Sequence, residues 1–476
     1  MKIQENQIYC LIPFYLDAPI TGHPGGAWIP LEPKYDKDAM YPFMQTGSRI
    51  NRVYGLNPEG DLRKFFQQTS VVADTDGGEL ELNLPNNAGS PWRGPRLVIS
   101  RGGETGLLSL PVSLVCRSAD GAPLTGARVC EFVNRLQKYD SGQAPVFSYR
   151  IKGNVHILQD RLDSALGLCR DGQPHTWTLG ALIELLLGPL GERATMFKPY
   201  RCHILTYLLA EGSDAGAYEL SDDDRRLLLR ITHCQNRRYH VTLDAANKGC
   251  LTRTFENIYT GVSVEGSCVL GVVQHTEGDR FLEAYGSGTF QTRFMWMYIN
   301  AMMQRHSLLD MDRRIAALAE HLDSSDAEGD RRFADSMRRI CGMRLTGMFT
   351  SISAYSHINA LYGFMLHNLG VEALYAELDE KLRAIDSWLK LVEARQNAEA
   401  MRMQQAEAAG REKFEHFVQT GGVILAVLAL LYGIPQAVTT LRDTWEQRLW
   451  MWSLICLIPA VAGMIWLIAA MLKSRK

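Results

Sequence analysis

A run of 24 residues near the end of the chain, Leu449 to Leu472, carries no charged side chain. About 20 apolar residues in an α-helix cross about 30 Å of hydrocarbon, so this run is long enough to span a bilayer. Trp445, Trp450 and Trp452 crowd its first end, as in an interfacial aromatic belt, and Lys473, Arg475 and Lys476 close the other. Basic flanks favour the cytoplasmic side, which puts the tail, 473–476, inside the cell. Pro459 within the run is tolerated where neighbouring helices satisfy the freed backbone group.

A second apolar run precedes it. Residues 417–434 contain GGVILAVLALLYGI, after Arg411, Lys413, Glu415 and His416. So short a run also suits a buried core helix, but its place just before 449–472 favours a first span. Two spans return the chain to its starting side. The expectation is a multi-pass protein of the inner membrane with both termini cytoplasmic. Residues 435–448 then form an outer connector, in which Arg442 and Arg448 balance Asp443 and Glu446.

The rest of the composition narrows the class. Fifty basic residues face 52 acidic ones, which gives no reason to expect a nucleic-acid partner. The length allows more than one buried core. Ten cysteines are scattered with no C-x-x-C spacing, the pattern of reduced thiols in a cytoplasmic protein. The first residues, MKIQENQIYCLIPFYLDAP, lack the shape of a signal peptide.

From Val371 to Gly410 there is no proline and no earlier glycine, and Ala, Glu, Leu, Arg, Lys and Gln dominate. This predicts a stalk helix over 371–416 that runs into the first span, on the order of 90 Å in all at 1.5 Å per residue. Val371, Leu374, Leu378, Leu382, Ile385, Leu389 and Val392 repeat at three- and four-residue steps, a coiled-coil-like seam. The same steps continue through Gln396, Met403, Glu407, Gly410 and Phe414 to Phe417, Gly421, Ile424, Leu428, Leu431 and Pro435. The seam is apolar, then polar and small, then apolar again. A ring of helices around a wet mouth would loosen there; so would an ordinary solvated stalk.

Upstream, residues 1–145 read as strands and loops, with β-like runs YCLIPFYL, SVVAD, RLVISR and LLSLPVSLVC. Trp28, Pro30, Pro33 and Tyr35 read as a surface loop. Residues 146–290 read as mixed α/β, with a short buried helix at Thr178–Leu190 and one or two strands within Val262–Val273. Ser221 and Asp224 fit a capping box, with three aspartates at a positive helix start. Residues 291–370 read as helical, the first helix running from Thr289 through Leu322 with Phe294, Met297, Tyr298, Ala301, Met302, Leu308 and Leu309 on its apolar face. Gly286-Ser287-Gly288 reads as a turn before it. His233, Cys234 and His240 surround Arg237 and Arg238, which would repel a cation, so no zinc site is expected. No phosphate-binding, dinucleotide, zinc-protease or nucleophile-elbow motif occurs, and no catalytic residues are assigned.

A cytoplasmic domain, a very long helix feeding the first span, a short outer connector, a second span and a basic tail together resemble the CorA-type magnesium transporter superfamily, which includes related zinc transporters. Over the last 190 or so residues, from Thr289, the resemblance is one of architecture more than of residues. In that family the first span ends in Tyr-Gly-Met-Asn; the matching stretch here is Tyr432-Gly433-Ile434-Pro435, followed by Gln436. The resemblance implies an α+β cytoplasmic N-terminal region, a long stalk helix and two C-terminal transmembrane helices, assembled as a homopentamer in the lipid bilayer. It implies that Phe417, Gly421, Ile424, Leu428, Leu431 and Pro435 line a pore, with Tyr432, Gly433 and Gln436 at its outer mouth. It implies Mg2+ or a similar divalent cation as cargo and no enzymatic activity. Proline in place of the family's asparagine removes the side-chain carbonyl that meets the hydrated ion there, so magnesium selectivity does not carry over. The large N-terminal region invites a small-molecule or nucleotide regulator, as in CorA-like effectors of antiviral systems. A membrane-anchored scaffold is the third reading.

Overall fold

The computed structural model describes residues 1–17, 20, 24, 27–31, 51–57, 69–75, 78–83, 94–100, 104–116, 123–138, 146–151, 176–196, 201–212, 218–274, 277–319, 337–338, 341–342, 349–446, 458, 462–463 and 466. These fall into two units, Met1–Leu382 and Arg383–Lys476.

Fourteen strands of the first unit form one mixed sheet among the described residues. They are β1 (Ile3–Leu16), β2 (Trp28–Pro30), β3 (Asn51–Leu56), β4 (Thr69–Thr75), β5 (Gly78–Asn83), β6 (Arg96–Ser100), β7 (Thr105–Cys116), β8 (Val146–Ile151), β9 (Thr176–Thr178), β10 (Ala194–Met196), β11 (His203–Glu211), β12 (Leu251–Phe255), β13 (Ile258–Val262) and β14 (Gly266–Val273). The helices are α1 (Gly126–Gln137), α2 (Leu179–Leu187), α3 (Asp222–Thr232), α4 (Ala245–Gly249), α5 (Arg280–Ala284), α6 (Met295–Ala319), α7 (Ser356–Asn368) and α8 (Val371–Glu446). The main path of the sheet runs β12-β13-β14-β11-β1-β7-β5-β4-β8-β9. β1 pairs antiparallel with β7 on one side and with β11 on the other, while β11 and β14 pair in parallel.

Alternation along a strand sends successive side chains to opposite faces. On β1, Ile8, Cys10, Ile12, Phe14 and Leu16 take one face, joined by Leu108, Leu110 and Val112 of β7 and by Ile204 and Leu208 of β11. Val129, Phe132, Val133 and Leu136 of α1 complete this core with Leu182, Ile183 and Leu186 of α2. The other face carries Tyr9, His203 and Tyr207. The Tyr207 ring lies 4.8 Å from that of Phe290, and His203 Nε2 shares a hydrogen bond with the Tyr298 hydroxyl.

Helix α1 departs from the strands-and-loops reading of 1–145. Thr125 caps it, its side chain accepting from the Arg128 N–H, and Val129, Phe132, Val133 and Leu136 fall at helical spacing. Trp28 departs from the loop reading: it is buried in β2 and its indole N–H donates to the Leu186 carbonyl at 3.0 Å. Pro33 and Tyr35 lie outside the described residues. The expected strands within Val262–Val273 are the end of β13 and the whole of β14, and the short buried helix at Thr178–Leu190 is α2.

Gly286-Ser287-Gly288 is not a turn. It lies within a π-wound segment, Tyr285–Phe294, which leads into α6. A Cβ on Gly286 would sit 2.7 Å from the Tyr207 ring, so the backbone approaches that ring as only glycine allows. Under α6 several polar side chains are paired. The Asn51 amide donates to Asn300 at 2.9 Å and Thr105 shares a hydrogen bond with Ser307 at 3.1 Å. Buried Asp310 is held by Arg313 at 2.9 Å and Arg314 at 2.8 Å.

Candidate membrane-spanning segment

Gly370, at φ 69°, separates α7 from α8; the left-handed backbone that ends one helix suits glycine. Helix α8 then runs without interruption from Val371 to Glu446. In its first part the seam is legible as burial: Val371, Leu378 and Ile385 are buried, and Leu374, Leu382, Leu389 and Val392 are half-buried. From Glu393 through Thr420 every residue is exposed. The seam loses its cover where its residues turn polar.

The next stretch is apolar and still bare. Phe417 is 75% exposed, Ile424 55%, Leu428 43% and Leu431 61%. Eighteen residues make five turns at 3.6 per turn, so Phe417, Gly421, Ile424, Leu428, Leu431 and Pro435 share one face. Val418, Val423, Leu425 and Val427, on the remaining faces, are exposed as well. A helix that is apolar all round belongs in a nonpolar surrounding. Thr420 fits one: its hydroxyl donates to the His416 carbonyl one turn back, at 2.7 Å. Among the described residues α8 holds the one span long and apolar enough to cross a membrane, within Val371–Gly433.

Pro435 does not stop the helix, which continues through most of the expected connector. Proline has no N–H, so the Leu431 carbonyl one turn earlier loses its helical donor. Tyr432, Gly433 and Gln436 are exposed, and Gln436 sits about 100° around the helix from Pro435. The second expected span, 449–472, lies outside the described residues except at 458, 462–463 and 466, which are helical. The basic tail also lies outside them.

Ser221 caps α3, accepting from the Asp224 N–H at 3.2 Å, as the capping-box reading expects. Cys234 is buried at φ 49°, and His240 is exposed. Among the described residues no set of three His, Cys, Asp or Glu could hold a metal ion. An open cleft of about 530 Å³ lies at the C-terminal ends of the parallel pair β11 and β14, lined by Leu209, Val273, Glu277, Asp279 and Glu283, with Arg280 beside them. Such strand ends are where α/β sheets bind ligands. Three carboxylates against one guanidinium disfavour a phosphate there. Asp279 is already engaged, accepting from the Gln274 N–H at 3.0 Å and the Tyr218 hydroxyl at 3.3 Å.

Comparison with protein-family models, with curated proteins and with solved structures finds no match for this chain.

Proposed function

We propose that this chain is an oligomeric membrane protein of CorA-like architecture, a cation channel or transporter with a large cytoplasmic regulatory domain. One observation carries the reading: α8 presents exposed apolar side chains on every face across 417–433 among the described residues. At about 25 cal/mol per Å² of apolar surface, leaving them in water is costly, and lipid or sister helices relieve that cost.

In this reading the face from Phe417 to Pro435 lines the pore and residues 449–472 form the outer ring of spans. Pro435 gives the outer mouth a different chemistry from that of the family. It supplies no side-chain amide, but it leaves the Leu431 carbonyl free to face an ion or its water. Backbone carbonyls discriminate among cations by their number and field strength. Mg2+ is one candidate cargo and not a necessary one.

The test is the mass and symmetry of the detergent-solubilised protein, followed by ion flux in liposomes. A fivefold ring that conducts, and whose flux falls in Gly421→Leu, supports the reading. A monomer or dimer without conductance replaces it with a membrane-anchored scaffold. Flux that appears only with an added nucleotide makes the first unit a ligand sensor.

A further inference from the structure

Helix α8 does not stop where its most apolar run does. No charged residue stands between His416 and Arg442, a run of 25 positions from Phe417 to Leu441, and the helix is continuous through all of them. At 1.5 Å per residue they extend on the order of 37 Å, against about 30 Å of hydrocarbon. The span therefore reaches past Pro435, and Arg442, Asp443 and Trp445 mark its outer end. Leu431 lies about 15 Å inside that end, so its carbonyl sits at hydrocarbon depth.

At that depth no water is at hand, and a backbone oxygen must find a partner within the assembly. Pro435 has no N–H to give it. Leu431 and Pro435 share the seam face, so the unbonded oxygen opens on that face. Two hydroxyls of the span are turned onto their own helix: Thr420 donates to the His416 carbonyl at 2.7 Å and Thr439 to the Gln436 carbonyl at 2.8 Å. The seam side chains, Phe417, Gly421, Ile424, Leu428, Leu431 and Pro435, carry no polar atom. In a ring of such helices the Leu431 oxygens are the polar feature that the seam turns to the axis.

Resting on the pore reading above, we propose that the permeant ion is a monovalent alkali cation, held in passage by a ring of Leu431 carbonyls. Carbonyl oxygens carry partial negative charge and replace water around a cation, which excludes an anion as cargo. Mg2+ dehydrates reluctantly and is bound through carboxylates and retained water. No carboxylate lies between Glu415 and Asp443 or within 449–472, and the apolar seam cannot hydrogen-bond a hydration shell. The cost of taking an ion out of water rises with the square of its charge, so a path without carboxylates favours the single charge.

The full-length protein is reconstituted in a planar bilayer with potassium chloride on one side, magnesium chloride on the other and chloride equal on both. The current is expected to reverse as for a potassium-selective pore, with K+ at least about tenfold more permeant than Mg2+. Pro435→Ala returns an N–H to the Leu431 carbonyl and is expected to cut the K+ conductance about tenfold or more while the particle keeps its symmetry. The wild-type reversal potential stands by itself if that variant fails to assemble. A smaller permeability ratio, or a K+ conductance unchanged in Pro435→Ala, overturns the inference and leaves the cation channel standing. Current that reverses at zero because chloride carries it, or no current with or without added nucleotide, removes the channel reading as well.

Discussion

Leu110 and Leu428 are the same side chain in opposite situations. Leu110 is 1% exposed on the core face of the sheet, and Leu428 is 43% exposed on α8. The core face is closed by α1 and α2 of the same chain. Among the described residues the α8 stretch has no such cover. Two such surfaces suit two different solvents, which is why we propose a membrane around the second. The bare surface identifies what the protein needs from its surroundings.

The comparison can be broken most forcefully by charge. Leu425→Lys with Leu428→Lys would cost about 2.5–3.5 kcal/mol per lysine at the centre of a span. The expected outcome is loss of the protein from the alkali-washed membrane fraction, while the first unit keeps its fold. A double variant that stays embedded would mean that lipid does not cover this stretch.

A matched pair of truncations sharpens the comparison. Leu110→Ala should destabilise the first unit by about 2–5 kcal/mol through lost burial and a cavity. Leu428→Ala should change the stability of that unit by less than about 0.5 kcal/mol. Urea unfolding of the solubilised protein, followed by tryptophan fluorescence, reads both. Equal effects would mean that the two surfaces belong to one cooperative core.

The smallest effect is a pH dependence. Burial holds His203 down to about 4 and His306 down to about 3, and Arg305 lowers both further. Above pH 6.5 the folded and unfolded chains agree that these rings are neutral. Below it the unfolded chain takes up protons that the folded one refuses, so stability falls between pH 6.5 and 4, by about 3 kcal/mol or less per ring. His233 works in the opposite direction. Its raised value stabilises the fold fully below pH 6.5, and that contribution is lost as pH rises through about 9. Urea midpoints should therefore peak near neutrality, and a midpoint that keeps rising down to pH 4 would contradict the burial of His203 and His306.

Much of the sheet could be read from its residues, because runs such as RLVISR and LLSLPVSLVC combine β-branched and apolar side chains with turn residues at their ends. The long helix was equally plain, since forty residues of good helix formers without proline leave few alternatives. Helix α1 was hidden by its neighbourhood, although Thr125 and the spacing Val129, Phe132, Val133, Leu136 were there to find. The π-wound segment was not legible: a glycine pair reads as a turn until a tyrosine ring from another strand is known to need the space. The meeting of His233 and Glu265 depends on how the end of α3 and a turn between two strands converge, and no local spacing encodes that. The exposure of 417–433 among the described residues is likewise not encoded in its own apolar pattern, which a buried core helix would share.

The position of β1 has a consequence in time. It precedes its neighbours in the chain, yet it sits inside the sheet, paired with β7 and with β11. Its partners on the β11 side, such as Ala210 opposite Ile3, come about 200 residues later. At roughly 5–20 residues per second of synthesis, β1 waits on the order of 10–40 s for that neighbour. During the wait, one edge of a long apolar strand stays open to wrong pairing. The β1–β11 pairing is thus among the contacts of the sheet that span the most chain, and its closure cannot precede the synthesis of β11.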